Sequence, residues 1–474
     1  MDISDRFGNF TDIEALRSAH SRPLRKSLRV NTLKSTVEEV KSWGEEHGWT
    51  LNPVPWCPDG FFVERMDDRA LGKNLFHQIG YIYLQEAASM LPVELLDPQP
   101  GEEILDLCAA PGSKTTQIAA KMKNTGVIIA NDVQEKRLWT LQEALQRSGV
   151  LNTILTSKNG EWFGGNMTER FDRVLCDAPC SALGIARKDP TALKLCNEKS
   201  IAKLKSMQLK LLESAIHAAK IGGRIVYSTC TLTPEENEEV VTEMMEKFSG
   251  KIEIVDVRDK ERGIKDLDRA IDDSVIVQKS RIPFPVSPFP LLRLWPHTYD
   301  TEGFFCAVFE KKDHTRDVLR QENAPPQREL TPSRTKDIIA ELTKRYGTSF
   351  LRDNERLYET GLHVTMLHEE ASRFILPCPR YAFGIPFLKL LKDSRIRLTH
   401  EITTFRGREA SSGVLELTDG QKELILEGKD APCNSELRGE LILRWRGIAV
   451  GFGMAKEGVI KNWLPRRILQ QISE

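Results

Sequence analysis

At 474 residues the chain exceeds one ordinary domain, and at roughly 100 to 200 residues per domain it divides into two to four units. Its 40% hydrophobic and 28% charged residues describe a folded soluble protein, and no stretch approaches the ~20 consecutive apolar residues of a membrane helix. A formal net charge of −1 excludes a polycation, so a nucleic-acid partner would have to be met by local clusters of charge.

The opening MDISDRFGNF carries acidic residues and no apolar run, against a secretory signal. Nine cysteines (Cys57, Cys108, Cys176, Cys180, Cys196, Cys230, Cys306, Cys378 and Cys433) show no CxxC pair and no Cys/His spacing for zinc. A monomeric, cytoplasmic protein without a metal or a membrane partner is expected, with most of its thiols acting as small buried hydrophobes.

Residues 1–95 read as a smaller α+β extension. Its stretch RPLRKSLRVNTLK has five basic residues and no acidic one. Arg22, Arg25, Lys26 and Arg29 there suit folded RNA lying across a domain boundary, with helical salt bridges to residues such as Glu39 as the alternative. From 96 to 312 short apolar runs alternate with helical patterns, which predicts a doubly wound α/β domain. Strands are expected at Glu103–Cys108, Val127–Val133, Thr153–Ser157, Arg173–Asp177 and Arg224–Thr229. Helices are expected at Ser113–Lys123, Gln134–Ser148, Ser200–Lys220 and Glu235–Phe248. A polar, proline-punctuated linker follows at 313–335, and then a strand-rich domain at 336–474. The 37 residues from Arg438 hold seven basic and three acidic side chains, interleaved with Trp445, Phe452 and Trp463. Arg444, Arg446, Lys456, Lys461, Arg466 and Arg467 are phosphate-contact candidates there, with a solvated charged face around core tryptophans as the alternative.

The segment LDLCAAPGSKTTQIAA joins the first core strand to the first core helix, where open α/β sheets bind ligands. Pro111 and Gly112 make a tight turn, and the amides around Ser113 and Lys114 offer donors to a carboxylate. The pattern is neither GxGxxG nor a Walker loop, which disfavours dinucleotides and nucleoside triphosphates. Asp132, 20 residues beyond Gly112, can accept the two hydroxyls of a ribose or cap the following helix.

Two strand ends carry unusual chemistry: CDAPCS, with Asp177 and Cys180, and YSTCT, with Cys230. Carbon 5 of cytosine is a poor nucleophile. Addition of a thiolate at carbon 6 makes it an enamine carbon able to attack a sulfonium methyl group. An acid must then serve the N3 edge, which Asp177 can do if its surroundings keep it near neutral. A second thiol can act as acid or base when the product is released.

With RPLRKSLRVNTLK, YLQEAASMLPVELL, CAAPGSKT, DAPCS, RKDP, YSTCTLTPEENE and TEGFF, nearly the whole chain resembles the NOL1/NOP2/Sun family of RNA cytosine-5 methyltransferases, particularly its bacterial small-subunit ribosomal RNA branch. The resemblance implies a Rossmann-like class I methyltransferase core, S-adenosyl-L-methionine as cofactor, a PUA-like C-terminal domain, and RNA as partner, 16S rRNA or the small ribosomal subunit. It also implies that Cys108, Ala109, Ala110, Pro111, Gly112, Ser113 and Lys114 cradle the methionine part, that Asp132 holds the ribose, and that Asp177 contacts cofactor or base. Cys230 would be the nucleophile and Cys180 would assist release.

The family reads Asp-Gly after the third strand, at the adenine amino group, where this chain has Asn159-Gly160; the asparagine carbonyl oxygen can still accept. It reads Gly-Glu-Gly after Ser181, where this chain has Ala182-Leu183-Gly184, an expected narrowing of the pocket with the loss of a polar contact. Two rival functions stand beside the main one: the same reaction on transfer RNA, and a noncatalytic RNA-binding or ribosome-assembly homologue.

Overall fold

A computed structural model describes residues 7, 11–65, 70–189, 191, 197–257, 289–318, 328–391 and 395–473. Cys196, Pro190 of RKDP and 319–327 of the linker lie outside the described residues.

The N-terminal unit is an antiparallel sheet of β1 (Lys26–Val30), β2 (Trp49–Val54), β3 (Cys57–Arg65) and β4 (Ile82–Leu84), in the order β2-β3-β1-β4. The helix Ala87–Leu96 leads from it into the core and is buried over most of its length.

The core strands are β5 (Glu103–Asp106), β6 (Val127–Asn131), β7 (Thr153–Thr156), β8 (Phe171–Asp177) and β9 (Ala219–Thr229), all parallel. Beyond β9 lie β10 (Ile252–Ile254), β11 (Leu292–Leu294) and β12 (Phe304–Lys311), with β12 antiparallel to β9. Consecutive apolar residues divide between the two faces, as a strand's period of two requires. Leu105, Ile129, Val174 and Ile225 pack with Leu212 and Ala215 of the helix Glu198–Ala218. Ile104, Ile128, Leu175 and Val226 pack with Leu91, Ile118 and Leu141 of the helices on the other face. The strand order β9-β8-β5-β6-β7 reverses between β5 and β8, and that reversal opens a crevice at their carboxyl ends.

The expected elements are present with shifted ends. The helix Glu198–Ala218 runs directly into β9, which therefore starts five residues before the expected Arg224. The last expected core helix is broken into a 3₁₀ turn at Pro234–Glu236 and a helix at Glu238–Lys247, because Asn237 leaves helical geometry at φ −118°, ψ −92°.

The C-terminal region opens with the helix Pro332–Tyr346, which takes up the end of the expected linker. It holds two sheets. One comprises β13 (Glu355–Thr360), β14 (His363–His368), β16 (Ile385–Leu390) and β17 (Ile396–Leu398); the other comprises β18 (Val414–Glu416), β19 (Ala431–Pro432), β20 (Gly439–Trp445), β21 (Ile448–Lys456) and β22 (Val459–Asn462). A short strand, β15 (Ala382–Phe383), pairs instead with β7 and extends the core sheet at its edge. Among the described residues no helix is long and apolar enough to cross a membrane.

Candidate active site

The loop after β5 is held by backbone and by Asn131. Leu107 N–H donates to Leu175 O at 2.9 Å, and Ala109 N–H to Asn131 O at 2.7 Å. The Asn131 amide donates to Leu107 O and Lys158 O, while its oxygen accepts from Lys158 N and Thr156 Oγ1. Gly112 sits at φ +109°, and a Cβ there would come within 2.9 Å of Leu141 Cδ1, so this turn needs glycine for both backbone and packing. No side chain caps the helix Ser113–Lys121, which leaves its first amides facing the crevice.

Asp106 ends β5. One of its oxygens accepts from Thr115 Oγ1 at 2.7 Å, and the other is buried with no partner in the structure. Burial pushes this carboxyl up to about 7 against the opposing Thr115 bond. Asp132 is 3% exposed; its Oδ1 accepts from Gln134 N–H at 2.9 Å and its Oδ2 lies 3.1 Å from Arg137 Nη1. Arg137 also donates to Ala110 O, so its guanidinium spans the crevice mouth. Asn159 is exposed on the loop after β7, where its side-chain oxygen makes only a 3.4 Å contact to Glu161 N.

Asp177 and Ser228 are register partners at the ends of β8 and β9. The turns that leave those strands bring Cys180 Sγ to 3.3 Å from Cys230 Sγ. Gly184 N–H donates to Cys230 O at 2.9 Å, and any Cβ on Gly184 would strike that carbonyl at 2.6 Å. The hydrogen bond with Cys230, and then burial, push the Cys180 thiol well above its ordinary value, so Cys180 holds its proton.

Lys114 donates to Asp177 Oδ2 at 2.7 Å and to Ser89 Oγ at 3.1 Å; burial alone would lower this ammonium, but the Asp177 carboxylate outweighs it. Ser228 Oγ donates to Asp177 Oδ1 at 2.7 Å. Asp177 is thus held between the Lys114 ammonium and the Ser228 hydroxyl, and the ion pair brings Lys114 to the same strand end.

A family model described as 16S rRNA methyltransferase RsmB/F matches residues 93–310, and one for the N-terminal domain of 16S rRNA methyltransferase RsmF matches residues 3–87. Ribosomal RNA small subunit methyltransferase F of Vibrio parahaemolyticus is 34% identical over 97% of this chain and 94% of its own length. The Psychromonas ingrahamii protein of the same name is 34% identical over 98% of this chain and 94% of its own. The chain belongs to the ribosomal RNA small subunit methyltransferase F family. A methyltransferase homolog protein from Pyrococcus horikoshii matches this chain with a TM-score of 0.53 and 33% identity, over 65% of this chain and 93% of its own. NSun6 from Pyrococcus horikoshii shares the fold alone, at TM-score 0.54 and 23% identity over 66% of this chain and 98% of its own.

Two of the basic residues proposed for RNA are structural. Arg29 is 1% exposed and donates to Gln85 Oε1 and Thr116 Oγ1. Arg444 donates to the carbonyls of Gly407 and Ala410. Arg29 is buried, with its Nη1 left without a partner, and Arg444 is tied to backbone carbonyls, so neither is placed for a phosphate at the surface. Trp445 and Phe452 are core, and Trp463 stacks on Phe452 under Arg397, so the aromatics follow the alternative stated above. Arg446, Lys461 and Arg467 are exposed but paired with Glu46, Asp430 and Glu401 respectively. Glu39, the alternative partner for the N-terminal cations, pairs with Arg408. Arg25 lies over the Phe62 ring at 3.7 Å, Lys456 is 3.6 Å from Glu457, and Arg22, Lys26 and Arg466 are exposed.

Sequence reasoning missed Asn131, Arg137 and Glu236. A polar residue ending the apolar run VIIAN could have flagged Asn131. Glu236 offered no such signal among its acidic neighbours.

Proposed function

We propose that the protein transfers a methyl group from S-adenosylmethionine to carbon 5 of a cytosine in 16S ribosomal RNA, through a covalent bond between Cys230 and carbon 6. The observation that carries this reading is the Cys180–Cys230 pair, 3.3 Å apart beside the Lys114–Asp177 ion pair. Two thiols facing one another at adjacent strand ends serve little in a transfer to an exocyclic amine, whereas attack at carbon 6 and later release need both.

The crevice fits the cofactor. Uncapped amides at Ser113–Lys114 would take its carboxylate, Asp132 its ribose hydroxyls, and the exposed Asn159 oxygen its adenine amino group. The orphaned Asp106 oxygen adds a buried acceptor beneath the loop. When bound, the cofactor supplies an electrophilic methyl group.

The protein's own part begins at Cys230, whose thiolate adds to carbon 6 and drives electron density toward carbon 5 and N3. Lys114, oriented by Asp177, supplies the acid at the N3 edge. After transfer the proton on carbon 5 must leave and the Cys230–C6 bond must break, and Cys180, which holds its proton, serves the departing sulfur as acid. The N-terminal unit contributes to the centre as well, since Ser89 on the helix Ala87–Leu96 accepts a hydrogen bond from Lys114. The reaction belongs in the cytoplasm, where small subunits are assembled.

Bisulfite mapping of ribosomal and transfer RNA from cells with and without the gene tests the reading. A 5-methylcytosine of 16S rRNA is expected to disappear with the gene. Loss from transfer RNA alone would move the substrate, and no loss anywhere would favour a noncatalytic homologue.

A further inference from the structure

Both cysteine turns are tied to one residue that the reaction above leaves unused. Glu236 is 0% exposed, and among the described residues no cation pairs with its carboxylate. Its Oε1 accepts from Ser181 N–H at 2.9 Å and from Gln208 Nε2 at 2.9 Å. Its Oε2 accepts from Thr233 Oγ1 at 2.7 Å and from Ser181 Oγ. Ser181 directly follows Cys180, and its hydroxyl also lies 2.7 Å from Thr231 Oγ1, directly after Cys230.

The next residue completes the tie. Asn237 accepts from Thr229 Oγ1 at 2.6 Å and donates to Thr231 O at 3.1 Å, holding both neighbours of Cys230. Tyr227 donates its hydroxyl proton to Glu236 O at 2.6 Å and so anchors the whole turn to β9. Four neutral donors around a buried carboxylate fill an acceptor-only group. A glutamine amide would turn N–H toward donors and leave bonds unmade.

We propose that Glu236 is a positioning residue for product release: its carboxylate locks the Cys180 turn onto the Cys230 turn, so that the Cys180 thiol meets the sulfur leaving the base. In that step a water takes the proton from carbon 5, and the C–H pair forms the C5=C6 double bond. The C6–S bond breaks with its electrons on Cys230 Sγ, Cys180 passes its proton to that sulfur, and solvent reprotonates Cys180. The negative charge of Glu236 adds to the Cys230 contact and to burial in keeping the proton on Cys180.

The proposal rests on the assignment of release to Cys180, so the full-length Cys180→Ala and Glu236→Gln enzymes are compared with S-adenosylmethionine and small-subunit ribosomal RNA. Time courses on denaturing gels give the rates of adduct formation and release across neutral to alkaline pH. Glu236→Gln is expected to form adduct within about threefold of the wild-type rate but to release it at least about tenfold more slowly. The pH at which release fails should move down, because a thiol without its anionic neighbour loses its proton earlier.

Equal slowing of both steps with an unmoved pH profile would reduce Glu236 to scaffold and overturn the proposal. Adduct accumulation by Cys180→Ala with normal release by Glu236→Gln would overturn it alone, whereas normal release by Cys180→Ala would bring down the assignment beneath it and the proposal with it. If Glu236→Gln does not fold, Ser181→Ala decides: release slowed about threefold with adduct formation intact supports the tie, and unchanged release overturns it.

Discussion

The Arg137 guanidinium lies 3.1 Å from the Asp132 carboxylate, across the mouth of the crevice that S-adenosylmethionine would enter. Asp132 thus has two occupations, a charge partner and the Gln134 amide, besides any ribose. Asp132→Ala is expected to weaken cofactor binding about 100-fold or more, from loss of two charge-assisted bonds each worth ~1.5–3 kcal/mol. Asn159→Asp should tighten binding. Calorimetry on the full-length protein reads both, and an unchanged Asp132→Ala affinity with a lowered melting temperature would leave Asp132 as a turn residue only.

The two thiols should separate by phenotype. Cys230→Ala is expected to abolish methylation while binding the cofactor normally. Cys180→Ala should attack and methylate its RNA but accumulate a protein–RNA adduct that survives denaturing electrophoresis and vanishes in the double mutant. An adduct in Cys230→Ala, with none in Cys180→Ala, reverses the assignment.

The turn after Ser181 carries two substitutions with opposite physical signs. Ala182 adopts φ +59°, a left-handed conformation that strains a side-chain-bearing residue, so Ala182→Gly is expected to stabilise the protein by about 0.5–1 kcal/mol. Leu183 is fully buried with Leu16, Leu232 and Trp295, an apolar anchor where a carboxylate was expected to be missed. Leu183→Glu should therefore destabilise by about 3 kcal/mol or more. Urea denaturation reads both changes, and tolerance of Leu183→Glu would contradict the apolar anchor.

Glu302 gives a pH dependence. Burial and then the neighbouring Glu86 push its carboxyl up from 4.5 to about 8, against the opposing Arg187 and Lys188 charges and the Lys188 amide. The folded state holds a proton that the unfolded chain has released over that window. The stability contribution is therefore full below about pH 4.5 and is lost as pH rises through about 8. Glu302→Gln should flatten this decline and exceed the wild type at the alkaline end by roughly 5 kcal/mol. Parallel stability–pH curves for the two proteins would refute the buried acid.

Core strands and the turn from β5 into the helix Ser113–Lys121 were legible in the sequence because each declares itself locally, by apolar runs such as VIIA and by the turn APG. Arg29 was misjudged because its partners, Gln85 and Thr116, are 56 and 87 residues away. A basic run seen alone looks solvated, and its strand turns one side chain inward. Glu236 was invisible for the same reason: in TPEENEE it resembles the acidic first turn of a helix, and its donors come from Ser181, Gln208 and Thr233. The left-handed Ala182 follows from closure of the turn on Cys230 O, which no local pattern encodes.

The pairing of Ala382–Phe383 with β7 makes the C-terminal region a lid on the open flank of the catalytic sheet. Tyr381 N–H donates to Leu155 O and Gly384 N–H to Thr153 O, so the seal runs the length of a fully buried strand, Thr153–Thr156. A chain cut at the linker would bare that row of peptide groups on an apolar strand, a ready template for other copies. Shortening this enzyme to its chemistry would trade a catalyst for a precipitate.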